Sequence, residues 1–136
     1  MARAEAHTLS LMLEMGRLMR SRMVGVMPLP SAQCETLWLI SERERPSMRD
    51  IARHFKISAP SATSLASELA RGGYLVRTSD AKDRRQVRLI LTPKGRKTLR
   101  GVMERRKKVL ESVLSVLSAR DRADLARILS NIVSAK

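Results

Sequence analysis

A chain of 136 residues is long enough for one domain with a hydrophobic core, and 27 Lys and Arg residues against 13 Asp and Glu residues give it a formal net charge of +14. So basic a chain favours nucleic acid or an anionic membrane surface as its partner. Three features exclude other classes: one cysteine cannot form an internal disulfide, no apolar run reaches the roughly 18 residues of a membrane span, and three aromatic residues are too few for the stacking platforms of a single-strand binder.

The first predicted element is a helix over residues 4–27, followed after Pro28 and Pro30 by a second helix over residues 32–44 that Ser31 caps. The apolar face of the first helix favours a helix–helix interface, with a methionine-rich ligand wall as the alternative. Its members are Leu9, Met12, Leu13, Gly16, Met19 and Met23. The inward side chains of the second helix are Leu37, Trp38 and Ile40.

Two short helices are predicted next, with a break of a few residues between them. Ser47 is a good N-cap for the first, and Asp50 supplies a carboxylate to its first turn. The second begins at Ser58, tolerates Pro60 in its first turn and stops at Gly72-Gly73. Its apolar positions are Ala62, Leu65, Ala66 and Leu69, and its outward positions are Ser61, Ser64, Ser67 and Arg71. Such a pair is a helix-turn-helix, whose second helix can enter a DNA major groove.

A β-hairpin is predicted after these helices. Residues 74–77 and 86–91 are β-rich runs, and the polar segment 78–85 between them is basic. A small α+β core with a solvated loop is the alternative, but a purely structural turn would favour Asn-Gly or Asp-Gly. A helix pair followed by a basic hairpin therefore predicts a winged helix-turn-helix.

The last two predicted elements are helices. Thr92 can cap and Pro93 can open a long helix that runs to about residue 117, and Ser118 with Asp121 forms a capping-box-like restart. The final helix has an apolar face made by Leu125, Ile128, Leu129, Ile132 and Val133. Apolar faces at both ends of the chain indicate an intertwined homodimer in which the terminal helices of two subunits pack together.

The stretch from Ser47 to Gly95 resembles the multiple-antibiotic-resistance regulator (MarR) family of bacterial transcription factors. The matching segments are Asp50-Ile51-Ala52, Ile57-Ser58, Ala62-Thr63, Leu69, Gly73-Tyr74-Leu75-Val76-Arg77, Asp83-Arg84-Arg85 and Leu91-Thr92-Pro93-Lys94-Gly95. The resemblance extends over nearly the whole chain. It implies one MarR-like domain over residues 1–136, mainly α with a small β-hairpin (α+β), in which residues 31–92 bind DNA and residues 1–30 and 93–136 form dimerisation helices.

The resemblance also implies a function: a cytoplasmic, homodimeric repressor that binds a pseudo-palindromic double-stranded DNA operator. The expected DNA-binding residues are Ser58, Pro60, Ser61, Thr63, Ser64, Ser67, Arg77, Lys82, Arg84 and Arg85. Many relatives carry arginine where this recognition helix has serine and threonine. Direct contacts to the bases should therefore discriminate less strongly between base pairs. A weakly specific architectural DNA-binding protein stays the alternative. A membrane partner is not expected, because it leaves the hairpin unexplained.

No enzyme or metal chemistry is expected. His7 and His54 lie far apart without a cysteine or carboxylate cluster, and the serines have no histidine partner. Asp80 and Asp83 are expected to fix the hairpin loop by pairing with Arg77, Arg84 or Arg85 rather than to act as acid and base.

The sequence also contains one cysteine, Cys34, and residues that could form a pocket for a small-molecule effector. Redox-sensing relatives carry their cysteine on the first helix, so Cys34 is expected to be a buried or neutral residue. Many relatives sense small aromatic acids between the dimer helices and the winged part. The residues that could line such a pocket here are Met15, Arg17, Met19, Met23 and Trp38. No cofactor is expected, and nothing in the sequence identifies an effector.

Overall fold

The computed structural model describes residues 2–80, 82–83 and 85–135, which form helices and one antiparallel hairpin. In chain order the elements are α1 (Arg3–Met23), α2 (Ser31–Glu42), α3 (Met48–Phe55), α4 (Ala59–Arg71), β1 (Leu75–Ser79), β2 (Val87–Leu91), α5 (Pro93–Leu114) and α6 (Ala119–Ser134). The predicted fold class, mainly α with a small β-hairpin, is confirmed. Among the described helices, none combines the length and apolar character that crossing a bilayer requires.

The chain divides into two compact units. One consists of the residues up to Val24 together with those from Arg105 onward, and the other is Gly25–Glu104. The second, which we call the winged unit, contains α2, α3, α4, both strands and the start of α5. The first, which we call the terminal unit, contains α1, α6 and the rest of α5.

The winged unit has a continuous hydrophobic core. Its buried side chains are Leu37, Leu39, Ile40, Ile51, Ala62, Ala66, Leu69, Leu75, Leu89, Leu91 and Leu99. The inward face predicted for α4 is confirmed, because Ala62, Ala66 and Leu69 are fully buried and Leu65 packs against them half-buried. Trp38 is also half-buried at the edge of this core rather than inside it.

The predicted starts of α3 and α4 are confirmed at atomic detail. The predicted cap of α2 is wrong, because Ser31 lies inside the helix and the N-cap is Pro30, which makes no side-chain capping hydrogen bond. The Ser47 Oγ accepts a hydrogen bond from the Asp50 N–H (3.1 Å), and the Asp50 carboxylate accepts one from the Ser47 N–H (2.9 Å), which is a complete capping box at the start of α3. The Ser58 Oγ accepts from the Ser61 N–H (3.2 Å) at the start of α4. Between the two helices, Lys56 adopts a left-handed conformation (φ 54°) and reverses the chain.

The hairpin pairs Leu75 with Leu91 and Ser79 with Val87 in antiparallel register. Strand β1 runs two residues beyond the predicted segment 74–77, since Thr78 and Ser79 continue the pairing that the polar sequence had suggested would be loop.

Several helix ends differ from the predicted ones. Helix α1 ends at Met23 rather than residue 27, because Gly25 adopts φ 76° and turns the chain before the two prolines. Helix α5 begins at Pro93 as predicted but ends at Leu114, three residues early. The restart at Ser118 is confirmed, with its Oγ accepting from the Asp121 N–H (3.1 Å).

Candidate nucleic-acid interface

Helix α4 presents a small polar face to solvent. Ser61, Thr63 and Ser64 are exposed, Ser67 is half-buried, and Pro60 lies exposed in the first turn. The helix has 13 residues, which corresponds to a length of about 20 Å. A helix of this size, with short hydroxyl side chains on its free face, can approach base edges closely.

Ser58 has a structural task as well. Its Oγ accepts from the Ser61 N–H and donates to the Ser61 Oγ (2.9 Å), so the hydroxyl is engaged in capping α4. Its part in DNA binding stays a prediction, as do those of the other expected residues.

The basic residues expected on the hairpin are exposed where the structure describes them. Arg77 projects from β1, and Lys82 and Arg85 belong to the loop between the strands. Arg84 lies outside the described residues.

The two aspartates of the loop hold its backbone. The Asp80 Oδ1 accepts from the Lys82 N–H (2.9 Å), and the Asp83 Oδ1 accepts from the Arg85 N–H (3.0 Å). Their expected role in fixing the loop is therefore seen, but the side-chain partner that the described residues give Asp80 is not one of the expected arginines. That partner is Arg88 on β2, whose Nε and Nη2 both donate to the Asp80 Oδ2 (3.1 and 2.8 Å).

A cleft of about 280 Å³ joins the recognition helix to the base of the wing. Thr63 of α4 and Arg85 of the loop both line it, so an expected DNA contact from each of the two elements lies on one surface. The same cleft is lined by Arg49, an exposed residue in the first turn of α3 that sequence reasoning missed. The available signal was its position away from the apolar stripe of Ile51 and Phe55.

Two carboxylates near this surface are held ionised. The hydrogen bond from the Ser47 N–H, against a weaker opposing effect of burial, lowers the pKa of Asp50 below its ordinary 3.8, and Arg43 and Arg88 act in the same direction. The hydrogen bond from the Lys82 N–H, followed by that from Arg88, lowers the pKa of Asp80. Both groups therefore stay anionic at neutral pH and fix the positive side chains and N–H groups around them.

The segment Thr92-Pro93-Lys94-Gly95 anchors the end of the recognition helix. The Thr92 Oγ1 donates to the Gly73 carbonyl (2.5 Å) and accepts from the Gly95 N–H (3.0 Å). The Lys94 Nζ donates to the Gly72 carbonyl (2.6 Å) and lies 4.6 Å from the centre of the Tyr74 ring. A Cβ atom at Gly95 would overlap the Tyr74 carbonyl oxygen, so only glycine allows this close packing.

A second cavity, of about 470 Å³, lies in the winged unit between the end of α2, β2 and the start of α5. None of the five residues named above as candidate effector contacts lines it. Within the described residues no group of three or more His, Cys, Asp or Glu side chains could hold a metal ion. Cys34 is buried (1% exposed) and its Sγ donates to the Leu29 carbonyl at 3.4 Å.

A helix-turn-helix, a basic hairpin beside it and a cleft that joins the two define a winged helix-turn-helix DNA-binding protein. Residues 27–86 match the model of the MarR family. This match, together with the winged helix fold, supports a MarR-family transcriptional regulator that binds DNA. Regulators of the family are transcription factors, not enzymes, which confirms that expectation. No curated protein matches the chain significantly.

Solved structures of similar fold span nearly the whole chain. YusO of Bacillus subtilis is 22% identical, with a TM-score of 0.76 and complete coverage of both chains. The transcriptional regulator BldR of Sulfolobus solfataricus is 26% identical, with a TM-score of 0.70 and complete coverage of both. A MepR mutant of S. aureus bound to an oligodeoxyribonucleotide is 19% identical, with a TM-score of 0.65 and 99% of each chain covered.

Proposed function

We propose that this regulator is a homodimeric, sequence-specific repressor that binds a pseudo-palindromic operator in double-stranded DNA. The observation that carries the proposal is the cleft shared by Thr63 and Arg85. A base-reading surface and a basic wing that meet at one cleft can follow the same duplex at the same time. The MepR mutant bound to an oligodeoxyribonucleotide supports DNA as the partner.

Each part of this surface has its own groove. Helix α4 enters the major groove, which is wide enough for a helix, and the exposed hairpin residues Lys82 and Arg85 reach the adjacent minor groove. Serine and threonine offer single hydrogen bonds where arginine would grip guanine through two. Base readout by α4 is therefore soft, and the wing adds recognition of minor-groove shape.

The terminal unit supports the dimer. None of the described residues of α1 or α6 is buried, although both helices carry large apolar side chains, such as Met12 (61% exposed) and Ile132 (60% exposed). Apolar faces of this size need a cover, and a second copy of the chain supplies the matching faces from its own termini. We therefore assign residues 1–30 and 93–136 to dimerisation and 31–92 to DNA binding.

Repression follows from occupancy. A dimer seated on an operator that overlaps a promoter excludes polymerase sterically, so DNA binding alone is sufficient for this output. Because the proposed partner is double-stranded DNA, we also propose that the protein acts in the cytoplasm. A small-molecule effector stays a prediction without an identified ligand.

Selection of bound sequences from a random double-stranded DNA pool tests the proposal. We expect a two-fold symmetric motif with half-sites about 10 base pairs apart, set by the symmetry of the dimer. The selected site should bind at least ~10³-fold more tightly than random DNA at physiological salt. A ratio well below that value would favour the architectural DNA-binding protein, and the absence of salt-sensitive DNA binding would reject both.

A further inference from the structure

Arg88 is a basic residue beside the proposed DNA surface whose guanidinium faces protein atoms. Its Nε and Nη2 donate to the Asp80 Oδ2 at 3.1 and 2.8 Å. Its Nη1 lies 3.4 Å from the Arg45 carbonyl and 4.0 Å from the Asp50 Oδ2. All three nitrogens are thus directed at oxygens of the chain, and the side chain is 30% exposed. This geometry fits a structural role better than a phosphate contact. We call the contacts of Arg88 with Asp80, Asp50 and the Arg45 carbonyl the Arg88 tie.

On the wing side, the tie ends at a carboxylate that shapes the loop. The Asp80 Oδ1 accepts from the Lys82 N–H while its Oδ2 accepts from Arg88. The Asp80 N–H also donates to the Gln86 carbonyl (3.0 Å), which closes the hairpin. One aspartate therefore connects the backbone that carries Lys82 to the side chain of Arg88.

On the other side, the tie reaches the start of the helix-turn-helix. Asp50 belongs to the capping box of α3, and the Arg45 carbonyl belongs to the turn between α2 and α3. The backbone reinforces this connection, since the Leu89 N–H next to Arg88 donates to the Pro46 carbonyl (2.9 Å). Arg88 is consequently one side chain that holds the wing loop and the first helix of the pair in one arrangement. A second contact joins the same turn to strand β1, since the Arg45 Nη2 donates to the Thr78 Oγ1 (3.3 Å).

We propose that Arg88 is a positioning residue for DNA recognition: through Asp80 and the start of α3 it fixes the wing relative to the recognition helix, so that both fit their grooves together. This inference rests on the proposed function. A wing held in place before binding loses less conformational freedom when it enters the minor groove, so affinity for the correct site rises. Random DNA, which needs no exact fit of helix and wing, gains little from the tie.

Asp80→Asn distinguishes two explanations, because they predict opposite changes in the affinity for the operator. The substitution removes a negative charge next to DNA and releases Arg88, so a purely electrostatic role predicts tighter binding to every sequence. The positioning role predicts roughly tenfold weaker binding to the selected operator, with binding to random DNA unchanged or slightly tighter. Unchanged or tighter operator binding would overturn the inference.

Arg88→Lys is the charge-neutral companion variant. Lysine keeps the positive charge but cannot donate two hydrogen bonds from separate nitrogens to Asp80. The ratio of the affinity for the operator to the affinity for random DNA should therefore fall as it does in Asp80→Asn. Arg100→Lys, the same substitution at an exposed position of α5, is the matched control and should keep the wild-type ratio. The double variant Asp80→Asn with Arg88→Lys should lose no more than either single variant, because both break one tie. Losses that add would overturn the shared role.

The readout separates this inference from folding and from the proposed function. Circular dichroism and the unfolding midpoint identify a variant that fails to fold. If Arg88→Lys fails to fold, the Asp80→Asn variant, whose substitution lies on the loop, still tests the inference. Wild-type protein without any operator preference rejects the proposed function and the inference with it. A wild-type preference that survives both single substitutions rejects the inference alone.

Discussion

Asp50 shows how one carboxylate can serve a helix and the surface beside it. It accepts the Ser47 N–H, completes the cap of α3 and lies 3.9 Å from Arg43 and 4.0 Å from Arg88. Each contact favours the ionised form, which is why its pKa is lowered. A group whose pKa is lower in the folded than in the unfolded chain stabilises the fold above its unfolded pKa. That stabilisation is lost as the pH falls through the folded pKa.

Asp50→Asn should therefore destabilise the protein in a pH-dependent way. At neutral pH we expect a loss on the order of 1 kcal/mol in the free energy of unfolding, because the charged partner of the helix N-terminus is removed. The difference from wild type should persist down to about pH 4 and shrink below it, as Asp50 of the wild type becomes protonated. Chemical denaturation from pH 2.5 to pH 7 measures this. Glu44→Gln, an exposed acid outside the helices, controls for net charge, and a constant difference at all pH values would contradict the assignment.

Residues that act within a few positions of sequence could be predicted, and those that act across the fold could not. The capping pairs Ser47–Asp50 and Ser118–Asp121 were predicted from spacing alone, since their chemistry is local. The pairing of Asp80 with Arg88 was not predicted, because it depends on how the two strands of the hairpin meet. For Arg49, the sequence indicated a position away from the apolar stripe of α3, but only the packing of α3 beside the wing brings it to the cleft.

At the scale of elements, helix α4 and the hairpin give the proposed DNA surface two parts of different chemistry. The helix exposes hydroxyl groups and the hairpin exposes cations, so their contributions should differ in kind. Phosphate contacts add affinity that depends on salt, whereas base contacts add sequence preference. The order of elements and the inward face of α4 could be predicted from periodicity. Several ends could not, since a glycine conformation ends α1 and strand pairing extends β1.

This division predicts separable variants. Replacing Lys82 and Arg85 by alanine should weaken binding to all sites and reduce the slope of log K against log salt by roughly two per subunit, if both contact phosphate. Thr63→Ala or Ser64→Ala should instead change the preferred base at one half-site position by on the order of 1 kcal/mol, with little change in slope. Salt titrations and sequence selection on the same variants measure both effects. Identical effects from both sets would mean that the assignment of helix and hairpin to their grooves is wrong.

At the scale of the whole molecule, the terminal helices have apolar faces that the single chain does not bury. Their amphipathic pattern was visible in the sequence, and in the single chain their apolar side chains stay exposed, with Leu129 at 49% and Val133 at 58%. The winged unit has its own buried core. The winged unit therefore does not need the apolar faces of the terminal helices for its own core. Exposed apolar faces of this kind are what an interface between two copies of the chain requires.

Ile128→Asp tests the dimer directly. Ile128 is 46% exposed in the single chain and lies on the apolar face of α6, so in the proposed dimer the new carboxylate would be buried without a partner. Sedimentation should then show a monomer or an unfolded chain, and operator binding should weaken because two half-sites are no longer engaged together. Ser130→Asp introduces the same charge on α6 away from that face and should sediment as wild type. An Ile128→Asp protein that remains a normal dimer would exclude this face from the interface, and with it the proposed role of the terminal helices.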